Sequence, residues 1–256
     1  MRTKMVNSAE PLQFRFFTFP TMRLAGISAI SLDLDDTLWA FEPAVVRAEQ
    51  VLHDWLLQQA PKSAPILSSP QVLRDLRVQF EAMRPELAGD MRALRLGSIR
   101  LVLDMSKEDP GLAEAAYDAF YAARQQVDFF DDALPALEWL SQRFPLVAVS
   151  NGNANLKLTG GHQFFRASLN PQSFGSGKPG AAIFHAAADA AGCAPGRMLH
   201  VGDDPDLDVA GAIAAGAQAA WVVRSEEASA AQWSRSSPPP HLIVRDLRAL
   251  CQALDA

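Results

Sequence analysis

Three carboxylates close one short apolar run. The stretch Ile30–Ser31–Leu32–Asp33–Leu34–Asp35–Asp36–Thr37–Leu38–Trp39 begins as a buried strand would and ends in Asp33, Asp35 and Asp36. In open α/β sheets, ligands bind at the carboxyl ends of strands. Asp33 and Asp35 are two residues apart, so on a continuing strand they point the same way. Converging carboxylates repel unless a cation or a shared proton lies between them. That favours a metal site. An acidic turn is the competing explanation, and it suits one aspartate better than three.

Two further strand ends carry polar chemistry. Leu146–Val147–Ala148–Val149 leads into Ser150–Asn151–Gly152, a hydroxyl followed by a glycine that lets the backbone approach a phosphoryl oxygen. Met198–Leu199–His200–Val201 leads into Gly202–Asp203–Asp204–Pro205–Asp206–Leu207–Asp208, a second acidic cluster at a strand end. Between them lies Gly175–Ser176–Gly177–Lys178–Pro179–Gly180. It fits GxGxxG, but no strand immediately precedes it and Pro179 sits within it, so a dinucleotide fold is not indicated. It is not a P-loop either, because Gln172 stands where the first glycine belongs. What remains is a lysine at a helix start, with Pro179 leading into Ala181–Ala191. The chain has only five lysines against eighteen arginines, which makes Lys178 mildly informative.

In this order the four motifs resemble those of the haloacid dehalogenase (HAD) superfamily, over about Ile27 to Leu250. The resemblance implies an α/β fold, a Rossmann-like parallel-sheet HAD core with an inserted all-helical C1 cap. It implies that Asp33 is a nucleophile forming an aspartyl-phosphate. Asp35 is then the general acid and later the base that activates water. Asp36, Ser150, Asn151, Gly152 and Lys178 are expected to bind the phosphoryl group, with Lys178 also neutralising Asp33. Mg²⁺ is expected on Asp33, the backbone carbonyl of Asp35, and Asp203. Thr37, Asp204 and Asp208 are expected to support these residues or to reach the metal. An aspartate two residues after the nucleophile favours a phosphatase over a dehalogenase, because an alkoxide leaving group needs a proton and a halide does not.

A narrower resemblance is carried by Leu32–Asp33–Leu34–Asp35–Asp36–Thr37–Leu38, by Pro145–Leu146–Val147–Ala148–Val149–Ser150–Asn151–Gly152–Asn153–Ala154, and by Leu199–His200–Val201–Gly202–Asp203–Asp204. These are similar to a bacterial branch whose phosphatases act on 5-amino-6-(5-phospho-D-ribitylamino)uracil and FMN. Leu94 stands where that branch leads one to expect an aromatic. A phosphatase or phosphomutase for another sugar or acid phosphate, and a non-catalytic protein on a HAD core, are the alternatives.

The elements that must position these residues alternate between strand and helix. Pro43 suits a first helical position, and Val45, Ala48, Leu52, Trp55 and Leu56 follow at helical spacing. A second helix starts at Ser69–Pro70, with Leu73, Leu76, Phe80 and Met83 on one face, and Arg84–Pro85 interrupts it. A third carries Met91, Leu94, Leu101, Val102 and Met105, and a fourth Leu112, Ala116, Phe120, Ala123 and Val127. Residues 43–126 therefore read as the helical cap, and 25–42 with 127–256 as the core. Arg92 and Arg95 on the third helix are either solvated or, for Arg95, a cap contact to substrate. Asp131–Arg143 reads as a helix with Leu134, Leu137 and Leu140 inward. Strands are expected at Ala219–Val223 and Leu242–Val244, with Pro238–Pro240 in the loop between.

Composition sets the outer limits. The 256 residues are 49% hydrophobic and 20% charged, with a net charge of −6 and a pI near 5.4, which argues against a nucleic-acid partner. The expected partner is a small phosphorylated metabolite. Cys193 and Cys251 form no CxxC pattern and suit a reducing cytoplasm. Residues 1–24 read as an extension. Its aromatic patch of Phe14, Phe16, Phe17 and Phe19 is broken by Arg15 and Pro20, too short for a membrane span.

Overall fold

The computed structural model describes residues 24, 26–224, 233 and 237–255. The aromatic patch of the N-terminal extension lies outside them. Among the described residues, six strands form one parallel sheet in the order β3-β2-β1-β4-β5-β6. They are β1 (Ala29–Leu32), β2 (Leu146–Val149), β3 (Ala167–Leu169), β4 (Met198–Gly202), β5 (Gln218–Val222) and β6 (Leu242–Val244). This is the doubly wound order, with its switch point between β1 and β4. Register fixes what meets there. Leu32 pairs with Ala148 on one side and Val201 on the other. The residues just past these strands, Asp33, Ser150 and Asp203, therefore leave the sheet at nearly one level.

Strand alternation divides the core between two faces. Ile30, Leu32, Leu146, Ala148, Leu199 and Val201 pack under α5 (Ala133–Ser141) and α10 (Leu247–Asp255). Ala29, Val147, Val149, Met198 and Ala219 pack against α8 (Ala181–Ala191) and α9 (Gly211–Ala214). Two one-turn helices, α6 (Leu156–Thr159) and α7 (Pro171–Phe174), flank β3. The short edge strand β3 shows no sequence period, because only three residues pair and none is fully buried.

Between β1 and α5 the chain forms four helices: α1 (Phe41–Gln59), α2 (Pro70–Met83), α3 (Met91–Ser106) and α4 (Ala113–Arg124). They enclose an apolar cluster of their own, including Leu52, Leu56, Leu73, Ile99, Val102 and Phe120. The helix starts have local causes. Pro70 and Asp90 open α2 and α3, and the Asp90 side chain accepts from the Ala93 amide at 2.9 Å. α1 begins at Phe41, two residues ahead of Pro43, where the Asp36 carboxylate accepts from the Phe41 amide at 2.9 Å.

Some expected faces differ. Leu134, Met83 and Met105 are exposed. α5 packs through Ala133, Ala136, Leu137 and Leu140, a stripe at i, i+3, i+4 and i+7 that leaves Leu134 outside. α3 likewise turns Leu94, Leu96, Ile99, Val102 and Leu103 inward, and Leu101 is only half-buried. Among the described residues no helix is long and apolar enough to cross a membrane.

Candidate active site

Asp33 continues the β1 ladder by one bond, its amide donating to the Val201 carbonyl at 2.9 Å. It is buried beside Lys178, whose Nζ donates to Asp33 Oδ1 at 2.5 Å and to Asp208 Oδ1 at 2.6 Å. One carboxylate oxygen from each of Asp33, Asp203 and Asp208 lies within 4.8 Å of the others. The Asp203 carboxylate accepts from Thr37 Oγ1 at 3.2 Å, and its backbone carbonyl accepts from Trp221 Nε1 at 2.7 Å.

Burial sets the electrostatics. It lifts the Asp33 carboxyl well above the carboxylate range, and Lys178 only partly offsets that, with Asp208 adding repulsion. Burial also opposes the Lys178 charge, but Asp33 and Asp208 outweigh it and hold the ammonium above its ordinary range. For Asp208 the balance runs the other way: burial is outweighed by Lys178 and His200, which keep it ionised. Among the described residues no cation pairs with Asp203. Burial, with Asp208 and Asp36 nearby, pushes it up to about 7.

That imbalance tests the fit of a divalent ion. Asp33 and Asp203 supply hard oxygen donors in a half-closed, acid-rich site, the donor set Mg²⁺ takes. Asp208 is differently occupied. Its Oδ1 meets Lys178 and His200, and its Oδ2 accepts from the Asp204 amide at 2.9 Å. Its contacts suit a residue that positions Lys178. Gly202 permits this, since a side chain there would collide with Asp208.

Asp35 stands apart from the lysine. Its carboxylate accepts from Trp39 Nε1 at 2.8 Å, and Arg124 Nη2 reaches both oxygens at 2.6 and 2.7 Å. Gly152 lies against it, and a Cβ there would be 2.7 Å from Asp35 Oδ2. Ser150 is buried, and its Oγ accepts from the Gly152 amide at 3.0 Å.

Three expected site residues have other partners. The Asn151 side chain forms a reciprocal pair with the Lys178 backbone, both bonds at 2.8 Å, and so clamps the lysine's loop. Asp36 adopts a positive φ of 57°. Its amide donates to the Trp39 carbonyl and its carboxylate caps α1. Asp204 accepts from the amides of Asp206 and Leu207 and caps the π-type turn at Pro205–Ala210; it is not among the clustered metal-ligand oxygens. Arg95 is buried, unlike Arg92, which pairs with Glu114 on the surface. Arg95 Nη2 donates to Glu49 at 3.2 Å.

Arg124 and His200 have no counterpart in the sequence reading. Arg124 looks like the last charge of an ordinary helix, yet it is 2% exposed and bound to Asp35. His200 lies inside β4, its ring bonded to Ser31 Oγ at 2.8 Å and to Asp208 Oδ1 at 3.0 Å. Burial lowers its pKa, so the neutral ring bridges them. The available signal is parity. Ser31 and His200 pair across β1 and β4, and two facing polar residues inside buried strands require each other.

Similarity to known proteins agrees with this geometry. The family model for haloacid dehalogenase-like hydrolases matches residues 27–216. The chain is 33% identical over 231 residues to the 5-amino-6-(5-phospho-D-ribitylamino)uracil phosphatase YigB of Escherichia coli K12, covering 89% of this chain and 96% of that protein. It is 32% identical over 159 residues to the phosphoserine phosphatase of Thermus thermophilus, covering 58% and 60%. Among solved structures it resembles 2-haloacid dehalogenase from Pseudomonas syringae pv. tomato DC3000, with 33% identity, a TM-score of 0.80, and coverage of 90% and 98%.

Proposed function

The chain belongs to the haloacid dehalogenase-like hydrolase family, and from that premise we propose that it is a Mg²⁺-dependent phosphomonoesterase working through a phosphorylated Asp33. The observation that carries this reading is the separation of two carboxylates into different environments. Asp33 is buried against Lys178, and Asp35 is held instead by Trp39 and Arg124. Paired carboxylates with unlike surroundings are suited to unlike roles.

Asp33 attacks phosphorus as a carboxylate, which Lys178 helps to keep ionised against its burial, and Lys178 offsets the charge that gathers on the transferred group. Asp33 and Asp203 would hold Mg²⁺, which would neutralise charge on the phosphoryl oxygens. Ser150 and the backbone around Gly152 line the phosphoryl side. Asp35 gives its proton to the leaving alkoxide and then takes one from water. A halide needs no such proton, so Asp35 argues for ester hydrolysis despite the similarity to a protein named as a dehalogenase.

The substrate is a small phosphorylated metabolite: 5-amino-6-(5-phospho-D-ribitylamino)uracil first, the compound in the name of the relative YigB, and FMN second. Free Cys193 and Cys251 fit a reducing, cytoplasmic setting. Residues 43–126 act as a cap that closes over the site. Phosphate release from these two esters, with Mg²⁺ and with excess chelator, tests the reading. Metal-dependent release is expected. Full release in chelator rejects the metal role, and inertness toward both esters rejects the substrate.

A further inference from the structure

A cavity of about 330 Å³ opens between the helical cap and the core, lined in part by Phe41, Met91, Arg95, Phe120, Arg124 and Gly152. Its floor is catalytic ground. Gly152 lies against Asp35 Oδ2, and Arg124 grips the same carboxylate. The group that leaves phosphorus on the Asp35 side therefore has this cavity in front of it.

The charges of the wall are balanced, since Arg74, Arg77, Arg95 and Arg124 pair with Glu42, Glu49, Glu81 and Asp35, but its arginines carry more donors than those partners use. Glu49 already accepts from Arg74 Nε at 2.9 Å when Arg95 Nη2 reaches it at 3.2 Å. Arg124 gives both its bonds to Asp35 through Nη2. Arg95 Nη1 and Arg124 Nη1 are buried without a hydrogen-bond partner among the described residues. Buried cationic donors are rarely left unmet, and each calls for an acceptor. Both guanidinium groups also lie on rings: Arg95 is 4.2 Å from the Phe120 centroid and Arg124 is 5.3 Å from that of Phe41. The rings fix the planes of the two forks and offer flat apolar walls.

We propose that this cavity is the leaving-group site, in which Arg95 and Arg124 meet the oxygen acceptors of a flat, carbonyl-bearing ring that packs against Phe41 and Phe120. The inference rests on the phosphatase reading and names the substrate class of that site. Small-molecule sites span roughly 300–1,000 Å³, so this volume suits a one-ring body better than a dinucleotide. Both side chains line the cavity, and a ligand seated there offers the acceptor that each Nη1 lacks. Arg95 is then a specificity residue, since nothing places it on the phosphoryl group.

The test compares kcat/KM for 5-amino-6-(5-phospho-D-ribitylamino)uracil with that for ribitol 5-phosphate, which keeps the phosphorylated chain and lacks the ring. The Mg²⁺-loaded wild type is expected to prefer the ring-bearing ester, and Arg95→Met to cut that preference about tenfold or more, because a site built around hydrogen bonds discriminates strongly. Arg95→Lys keeps a charge beside Glu49 and carries the test if Arg95→Met does not fold; it too should lower the preference, having lost the fork. Arg92→Met, outside the cavity, should leave the ratio as it is. Equal use of both esters by the wild type, or an unchanged ratio in the Arg95 variants, overturns the inference. If the wild type hydrolyses neither ester, the phosphatase reading falls separately. The cavity is then decided by calorimetric binding of the dephosphorylated ribitylaminouracil: binding that Arg95→Met abolishes supports it, and no binding to the wild type overturns it.

Discussion

Asn substitutions separate the two carboxylates of the first motif, because they keep shape and remove one function. Asp33→Asn should abolish turnover and leave no phosphoryl group on the chain. Asp35→Asn should slow alkyl esters by about 10²–10⁴-fold, the usual worth of a general acid, and slow p-nitrophenyl phosphate far less at the first step. Burst kinetics with both substrates check this, and equal losses would remove Asp35 from the acid's role. Asp203 gives a pH signature. Its carboxyl titrates near 7 in the folded, metal-free chain against about 3.9 unfolded. The folded state thus keeps a proton that the unfolded state has lost, and this group's contribution to stability falls as pH rises between those values. Mg²⁺ competes with that proton, so the melting-temperature gain from Mg²⁺ should grow as pH rises toward and past 7 and should collapse in Asp203→Asn. A gain that is flat with pH would contradict the assignment. That Asp33, Lys178 and Asp203 come together was legible because each stands at a strand end or a helix start. Arg124 was not, since its meaning depends on Asp35, 89 residues away. Asn151 and Asp36 carried the right motif positions, but their partners, the Lys178 backbone and the α1 terminus, are invisible to a local pattern.

At the scale of elements, the loops matter as much as the strands they follow. The Asn151 amide ties the end of β2 to the loop before α8 by two bonds to Lys178. Asn151→Ala should therefore lower kcat more than it raises KM, because it loosens the lysine without touching the leaving group. A pure KM effect would return Asn151 to direct substrate binding. Asp132 joins three elements. It accepts from Arg224 Nη1 at 2.9 Å and Nη2 at 3.0 Å and from the Leu247 amide at 2.7 Å, while Arg224 also reaches the Thr37 carbonyl. Removing one partner of a buried pair costs roughly 3–5 kcal/mol. With the Arg224 side chain 17% exposed, the lower end applies to Asp132→Ala, about 3 kcal/mol or a fall of roughly 6–12 °C in melting temperature. A shift within 2 °C, taken as about 0.5–1 kcal/mol, would show that the link is dispensable. Helical period and proline placement made the four cap helices and α5 readable. Their inward faces were harder, because the choice between neighbouring stripes, Leu134 or Ala133 and Ala136, depends on what lies opposite. β3 escaped notice since an edge strand of three half-exposed residues has no period to read.

On the proposed reading, the molecule divides its labour between a core that handles the phosphoryl group and a helical layer that faces the leaving group. The doubly wound order brings three strand ends to one level, and their parallel burial made the apolar runs recognisable from the outset. The packing of the helical layer onto the core was not recognisable, because it depends on buried contacts such as Arg124 on Asp35 and Gln125 Oε1 accepting from the Asn155 amide at 2.7 Å. Exchanging cap residues should reorder substrates, whereas changing Ser150 should depress all of them together. Initial rates over a panel of phosphate esters distinguish the two, and an unchanged order after cap substitution would confine specificity to the core. The central claim is that phosphate passes through Asp33 with the help of a divalent ion. Its most direct test is rapid acid quench of the chain turning over p-nitrophenyl phosphate in Mg²⁺, followed by mass analysis of the peptide containing Asp33. The expected result is a phosphoryl group on that peptide during turnover, absent with chelator and absent in Asp33→Asn. Undiminished phosphate release by Asp33→Asn, with no phosphorylated peptide in the wild type, would contradict the mechanism.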